Sequence, residues 1–340
     1  MNRKSLILIT GIIFVSIILL LFILKDHIVK LIDDNKVVLE VNGDQITKRE
    51  YKIRFNTLKE NAIQFSSRTD ILDQVFNGKT YRELLKDELF RILIEELLCL
   101  QEARRKNIYL TRQEEDEIRK YIEELKRNME MRNYFNQYLR KIGSDENHFY
   151  RDLQKTRIIN KLYKYVTERI TLSDSEVIKY YNANKSQFRK IKVMDIFLRV
   201  ENAEEDAKKR KVANEVISEL KRGEDFEKLV KKYSEVESLD GKKGIIDYFR
   251  KGEKEAQYGS VFEEEVFKLA VGQISNVIKT VNGYHIVKVI DEKYMPFDEV
   301  KGEIQTKLIK QKKDEVFKSY IENLKKMSKI NIYKDRVKDL

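Results

Sequence analysis

The chain has 340 residues, with 68 Lys and Arg against 57 Asp and Glu, a formal net charge of +11, one proline, one cysteine and three histidines. That length gives room for two or three separate cores, while a single cysteine excludes an internal disulfide and three scattered histidines give no basis for a transition-metal site. Basic residues alternate with Glu, as in EELKRNMEMR, which is the pattern of solvated helix faces and not of a nucleic-acid-binding stripe.

After a tail at 1–4, residues 5–24 carry no charge for twenty positions, enough to cross a hydrocarbon core of about 30 Å as a helix. No alanine precedes Ala62, so the small-residue site of a cleaved signal peptide is missing and the segment is expected to stay as a membrane anchor. No cysteine follows the apolar run, which excludes a lipoprotein. Arg3 and Lys4 on one side and Lys25 and Lys30 on the other barely bias the orientation. His27, just beyond, reads as an interfacial residue, and 25–36 as a linker.

Val37 to Tyr51 predicts a hairpin across Asn42-Gly43, then a helix opened by Thr47 with Glu50 three residues on, a capping box. Amphipathic helices follow through YRELLKDELFRILIEELLCLQEARRKN, where Cys99 reads as a small core residue. Thr111 with Glu114 and Ser173 with Glu176 repeat the capping spacing. His148, near a helix start, reads as an exposed residue.

From Ile191 the period changes to that of a strand, IKVMDIFLRV, followed by a helix capped at Asn202 and ended at Gly223, and by the helix DFEKLVKKYS. A Gly-rich turn and strand, GKKGIIDYF, the short helix FEEEVFKL, and strands in IKT and GYHIVKV complete a βαα, β, α, ββ unit. A long helix after Pro296 and a short strand at Ile330 to Tyr333 close the chain, the strand being expected to pair with Val37 to Val41.

The words FEEEVFKL, VGQIS, IKT and GYHIVKV closely resemble the C-terminal half of the parvulin (PpiC, rotamase) family of peptidyl-prolyl cis/trans isomerases. VNGDQITKREY, LIEELLCLQEARRKNI, IINKLYKYV and SDSEVIKYYNANKSQF resemble, in this order, the chaperone domain of the SurA and PrsA group of extracytoplasmic foldases. The resemblance implies an α+β protein: a transmembrane helix, a mainly helical SurA-like domain over 37–190 completed by 295–340, and an inserted parvulin-like domain over 191–294. It also implies an N-terminal tail on the cytoplasmic side of the cell membrane and an extracytoplasmic soluble part, acting on unfolded or newly secreted polypeptides with X-Pro bonds.

Rotation about a peptide bond crosses a barrier of about 18 to 20 kcal/mol set by amide resonance. A catalyst needs only to hold the proline ring in an apolar pocket and to favour the twisted amide over both planar forms. No cofactor or metal is required. By resemblance, Phe262, Tyr258 and Ile246 supply the apolar pocket, and His285, Asp195, Thr280 and Asn282 the polar floor. Asp195 stands where the family has histidine, and Val236 where it has Asp or Cys. These departures favour an alternative, a holdase whose parvulin-like domain only binds peptide or serves as scaffold; a structural subunit of a membrane complex is a third reading. The long helical lobe leaves room for a homodimer.

Overall fold

The computed structural model describes residues 31–235 and 243–340. The expected anchor at 5–24, His27 and Val236 lie outside them. Among the described residues no helix is long and apolar enough to cross a membrane. The chain divides into two units, one of residues up to Ile170 together with Lys313–Leu340, the other Thr171–Lys312. The second is wider at both ends than the 191–294 expected from the sequence.

In the first unit, β1 (Val37–Val41) and β2 (Asp44–Thr47) form the hairpin, with Asn42 and Gly43 at φ of 51° and 94° as a two-residue turn between right-twisted strands demands. Helix α1 (Lys48–Ser66) starts from the Thr47–Glu50 capping box. A small hairpin of β3 (Val75–Phe76) and β4 (Lys79–Thr80) leads into α2 (Tyr81–Arg105), which opens on a second box, Thr80–Glu83. Then come α3 (Arg112–Leu125), α4 (Met129–Ile142) and α5 (Glu146–Thr167). The apolar stripe of α2, with Leu89, Phe90, Leu93 and Leu97, forms the centre of the core with Val38, Tyr51 and Leu162. Cys99 is buried there, and burial pushes its thiol up to about 12, as suits an inert core residue.

His148 is not exposed. It is the third residue of α5, where its backbone N–H donates to the capping Asp145, and its ring turns inward beside Asp152, one turn on, which also meets Arg54 of α1.

In the second unit, α6 (Asp174–Ala183) precedes β5 (Arg189–Arg199), α7 (Ala203–Lys221), α8 (Phe226–Tyr233), β6 (Ile245–Arg250), α9 (Glu255–Tyr258), α10 (Ser260–Val266), β7 (Ile278–Thr280) and β8 (Gly283–Tyr294). The strands form one antiparallel sheet in the order β6-β5-β8-β7. Alternation along β5 and β8 splits their side chains between two cores. Met194, Ile196, Leu198 and Ile286 pack with Val216 of α7 and Leu229 of α8, whereas Val193, Val287 and Val289 pack with Phe262 and Val266 of α10. Asp195, Phe197 and His285 share the parity of the second set and therefore face the α10 side.

Helix α11 (Phe297–Lys326) begins in the second unit, where Val300 and Ile304 pack on Val177 of α6, and ends in the first. The last strand, β9 (Ile330–Ile332), lies antiparallel to β1, on the edge opposite β2.

Candidate active site

Two neighbouring strands bring the polar pair together. In the β5–β8 register Phe197 is opposite His285 and Asp195 opposite Val287, so Asp195 and His285 are diagonal neighbours on one face, within reach of side chains of this length. The distance from His285 Nδ1 to Asp195 Oδ2 is 2.8 Å, and both residues are buried, at 1% and 3% exposure. Aromatic rings enclose the imidazole: Phe197 stacks on it at 4.4 Å, and Phe262 and Tyr258 meet it edge-on at 5.0 and 5.8 Å.

Burial pushes the Asp195 carboxyl above the usual carboxylate range, against the opposing pull of its hydrogen bond and of the His285 charge. Burial likewise raises the Tyr258 hydroxyl, and the Asp195 charge adds to it. The neutral carboxyl that burial favours donates to Nδ1, which leaves the ring hydrogen on Nε2. Nε2 is itself buried and has no protein partner.

His285 forms part of the wall of a cavity of about 430 Å³, together with Phe197, Arg199, Gln257, Tyr258 and Asn282. The structure therefore places the seven residues singled out from the sequence in different layers. Tyr258, Asn282 and His285 line the cavity. Asp195 lies behind His285. Phe262 is fully buried and lies beneath Tyr258, whose ring stacks on it at 4.8 Å; α10 turns Phe262 inward with Val266, so it supports the cavity wall without forming it. Ile246 packs against the core of the α10 side and is not a wall residue. Thr280 is buried, its hydroxyl donating to the Gly283 carbonyl at 3.3 Å, where it shapes the β7–β8 turn that carries Asn282.

Phe197, Arg199 and Gln257 were not among the sequence candidates. The first two were within reach of sequence reasoning, since positions 195, 197 and 199 of a strand share a face. Gln257 stands on the four-residue helix α9, whose orientation no periodicity reveals. Among the described residues no cluster of His, Cys, Asp or Glu converges as a metal site.

Residues 176–293 match the family model of the PPIC-type PPIase domain, and residues 1–163 that of the SurA-like N-terminal domain. The foldase protein PrsA of Caldanaerobacter subterraneus subsp. tengcongensis is 31% identical over 337 residues, covering 99% of this chain and 98% of that protein. The foldase protein PrsA of Clostridium botulinum strain Langeland is 28% identical over 308 residues, 87% of this chain and 88% of its own. A crystal structure of peptidylprolyl isomerase (PrsA) from Bacillus cereus is aligned over 86% of this chain and 92% of its own, at 22% identity and a TM-score of 0.33. From the first of these relatives and the two domain matches, the chain belongs to the PrsA foldase family, with a SurA-like N-terminal domain and a PPIC-type peptidyl-prolyl isomerase domain.

Proposed function

We propose that the chain is a peptidyl-prolyl cis/trans isomerase and chaperone for unfolded polypeptides outside the cytoplasm, held at the membrane by residues 5–24. The observation that carries the isomerase reading is the unpartnered His285 Nε2, fixed by Asp195 behind an aromatic-walled cavity. The proline ring of a client rests against Phe197 and Tyr258. As the amide twists, resonance is lost and the prolyl nitrogen regains a lone pair. Nε2–H then has an acceptor that neither planar form offers, so the hydrogen bond favours the transition state over both ground states. Asp195 keeps the hydrogen on Nε2, while Thr280 and Asn282 shape the far lip. Phe262 and Ile246 hold the pocket from behind.

The chaperone reading is supported by a second cavity, of about 610 Å³, in the helical unit, walled by Leu125, Met131, Tyr134, Phe135, Tyr138 and Phe149. Met131 and Tyr134 are exposed, and such an adaptable apolar surface suits many different client segments.

A second reading, peptide binding without turnover, is favoured by the 1% exposure of His285. Turnover of a short X-Pro peptide by the full chain separates the two. Isomerisation by the wild type, reduced by about tenfold or more in both His285→Ala and Phe262→Ala, supports the enzyme. An inert wild type that still suppresses aggregation of an unfolded client leaves only the binding reading.

A further inference from the structure

Ser234, the residue that follows α8, is 2% exposed, and its hydroxyl makes two hydrogen bonds to β5: it donates to the Asp195 carbonyl at 3.1 Å and accepts from the Phe197 N–H at 3.1 Å. Glu235 continues the contact, its N–H donating to the Phe197 carbonyl at 2.8 Å and its carboxylate accepting from the Arg199 N–H at 2.8 Å. Strand β6 does not reach this stretch, since its last partner on β5 is Met194, opposite Ile245, and the Asp195 N–H goes to the Gly244 carbonyl at 2.7 Å. Among the described residues, the outer half of β5 is thus edged by a hydroxyl, one main-chain amide and a carboxylate in place of a strand.

The two residues held by that hydroxyl are the ones that hold the imidazole, Asp195 through its carboxyl and Phe197 through its ring. The cap at the end of α8 does not need the Ser234 side chain, because the Ser234 backbone N–H makes that bond, to the Val230 carbonyl at 3.0 Å. Without the hydroxyl, a buried amide and a buried carbonyl of β5 lose their partners and recover them only by moving toward water. Such a movement lengthens the Asp195–His285 hydrogen bond.

We infer that Ser234 is a positioning residue for isomerisation, which sets through the β5 backbone where Asp195 and Phe197 meet His285, and hence which imidazole nitrogen bears the hydrogen. The effect on rate rests on the isomerase reading above; the effect on the imidazole does not.

The test is nitrogen NMR of the histidine rings in the full chain in detergent micelles, with His285→Gln to assign the signal, alongside X-Pro peptide turnover. Ser234→Ala and the nearly isosteric Ser234→Cys are expected to turn a single His285 tautomer into an averaged signal. They are also expected to lower kcat by about tenfold with KM unchanged, and Ser234→Thr, which keeps the hydroxyl, to restore both. Wild-type imidazole signals in the folded Ala or Cys variant overturn the inference. Loss of fold in both makes Ser234 a structural residue only, and also overturns it. If the wild type has no isomerase activity, the enzyme reading fails, yet the imidazole signals still decide the role of Ser234.

Discussion

Asp195 and Phe197, on the same face of β5, grip one imidazole from two sides, the first by a 2.8 Å hydrogen bond and the second by a ring stacked 4.4 Å away. Strand alternation aims both side chains at His285, so the grip is built where β5 and β8 pair along their length.

Phe197 is therefore expected to contribute to turnover of X-Pro peptides and not to suppression of aggregation. Phe197→Leu keeps most of the buried volume and removes the stacking. The expected outcome is a fall of about tenfold in kcat/KM for an X-Pro peptide, with suppression of client aggregation unchanged. Equal losses in both assays would instead place the residue in a shared structural role.

Stability should carry the signature of the buried carboxyl. Burial raises Asp195, so between about 3.9, its value in an unfolded chain, and its folded value the native state binds more protons than the unfolded one. The contribution of this group to stability then falls as pH rises through that window, by about 1.4 kcal/mol for each unit of elevation. Asp195→Asn removes the slope. Urea unfolding between about pH 4 and 7 should show the variant gaining on the wild type with rising pH, and parallel curves would contradict the assignment.

Gly283 stands at φ +148°, and a Cβ there would lie 2.1 Å from the Leu198 carbonyl oxygen and 3.1 Å from the Arg199 Cα. Both are backbone atoms of the paired strand and cannot yield cheaply. Gly283→Ala is expected to destabilise the second unit by about 2 kcal/mol or more, read as a lower urea midpoint. The same change at Gly272, where a Cβ would have nothing within 4 Å, lacks that steric conflict and should cost less.

The anchor assigned to residues 5–24 has its own check. The full chain should sediment with membranes and resist extraction by salt and alkaline carbonate, a deletion of 5–24 should release it, and protease added to intact cells stripped of their wall should digest it. A full chain found in the soluble fraction would sink the proposal.

Much of the frame was legible because local rules act there without help from distant residues. The Thr47–Glu50, Thr111–Glu114 and Ser173–Glu176 boxes need only a three-residue spacing, and all three are present. Thr80–Glu83 satisfies the same rule but stands behind an Asn77-Gly78 turn that breaks the apolar pattern. What escaped depends on packing. The direction of α10 around its axis decides that Phe262 lies beneath Tyr258 and not beside the cavity, and a helix this short carries too few apolar positions to fix it. His148 is buried beside Asp152, which with Lys155 shares ion pairs with Arg54 and Glu96, both more than fifty residues earlier in sequence.

The pairing of β9 with β1 joins almost the last described residues to almost the first. A chain made from its N-terminus has the whole of Thr171–Lys312 available to fold while the three-stranded sheet still lacks its final member. The isomerase unit is thus able to mature inside an unfinished neighbour, and a stop codon a dozen residues early would leave β1 with one edge bare, a template for pairing between copies.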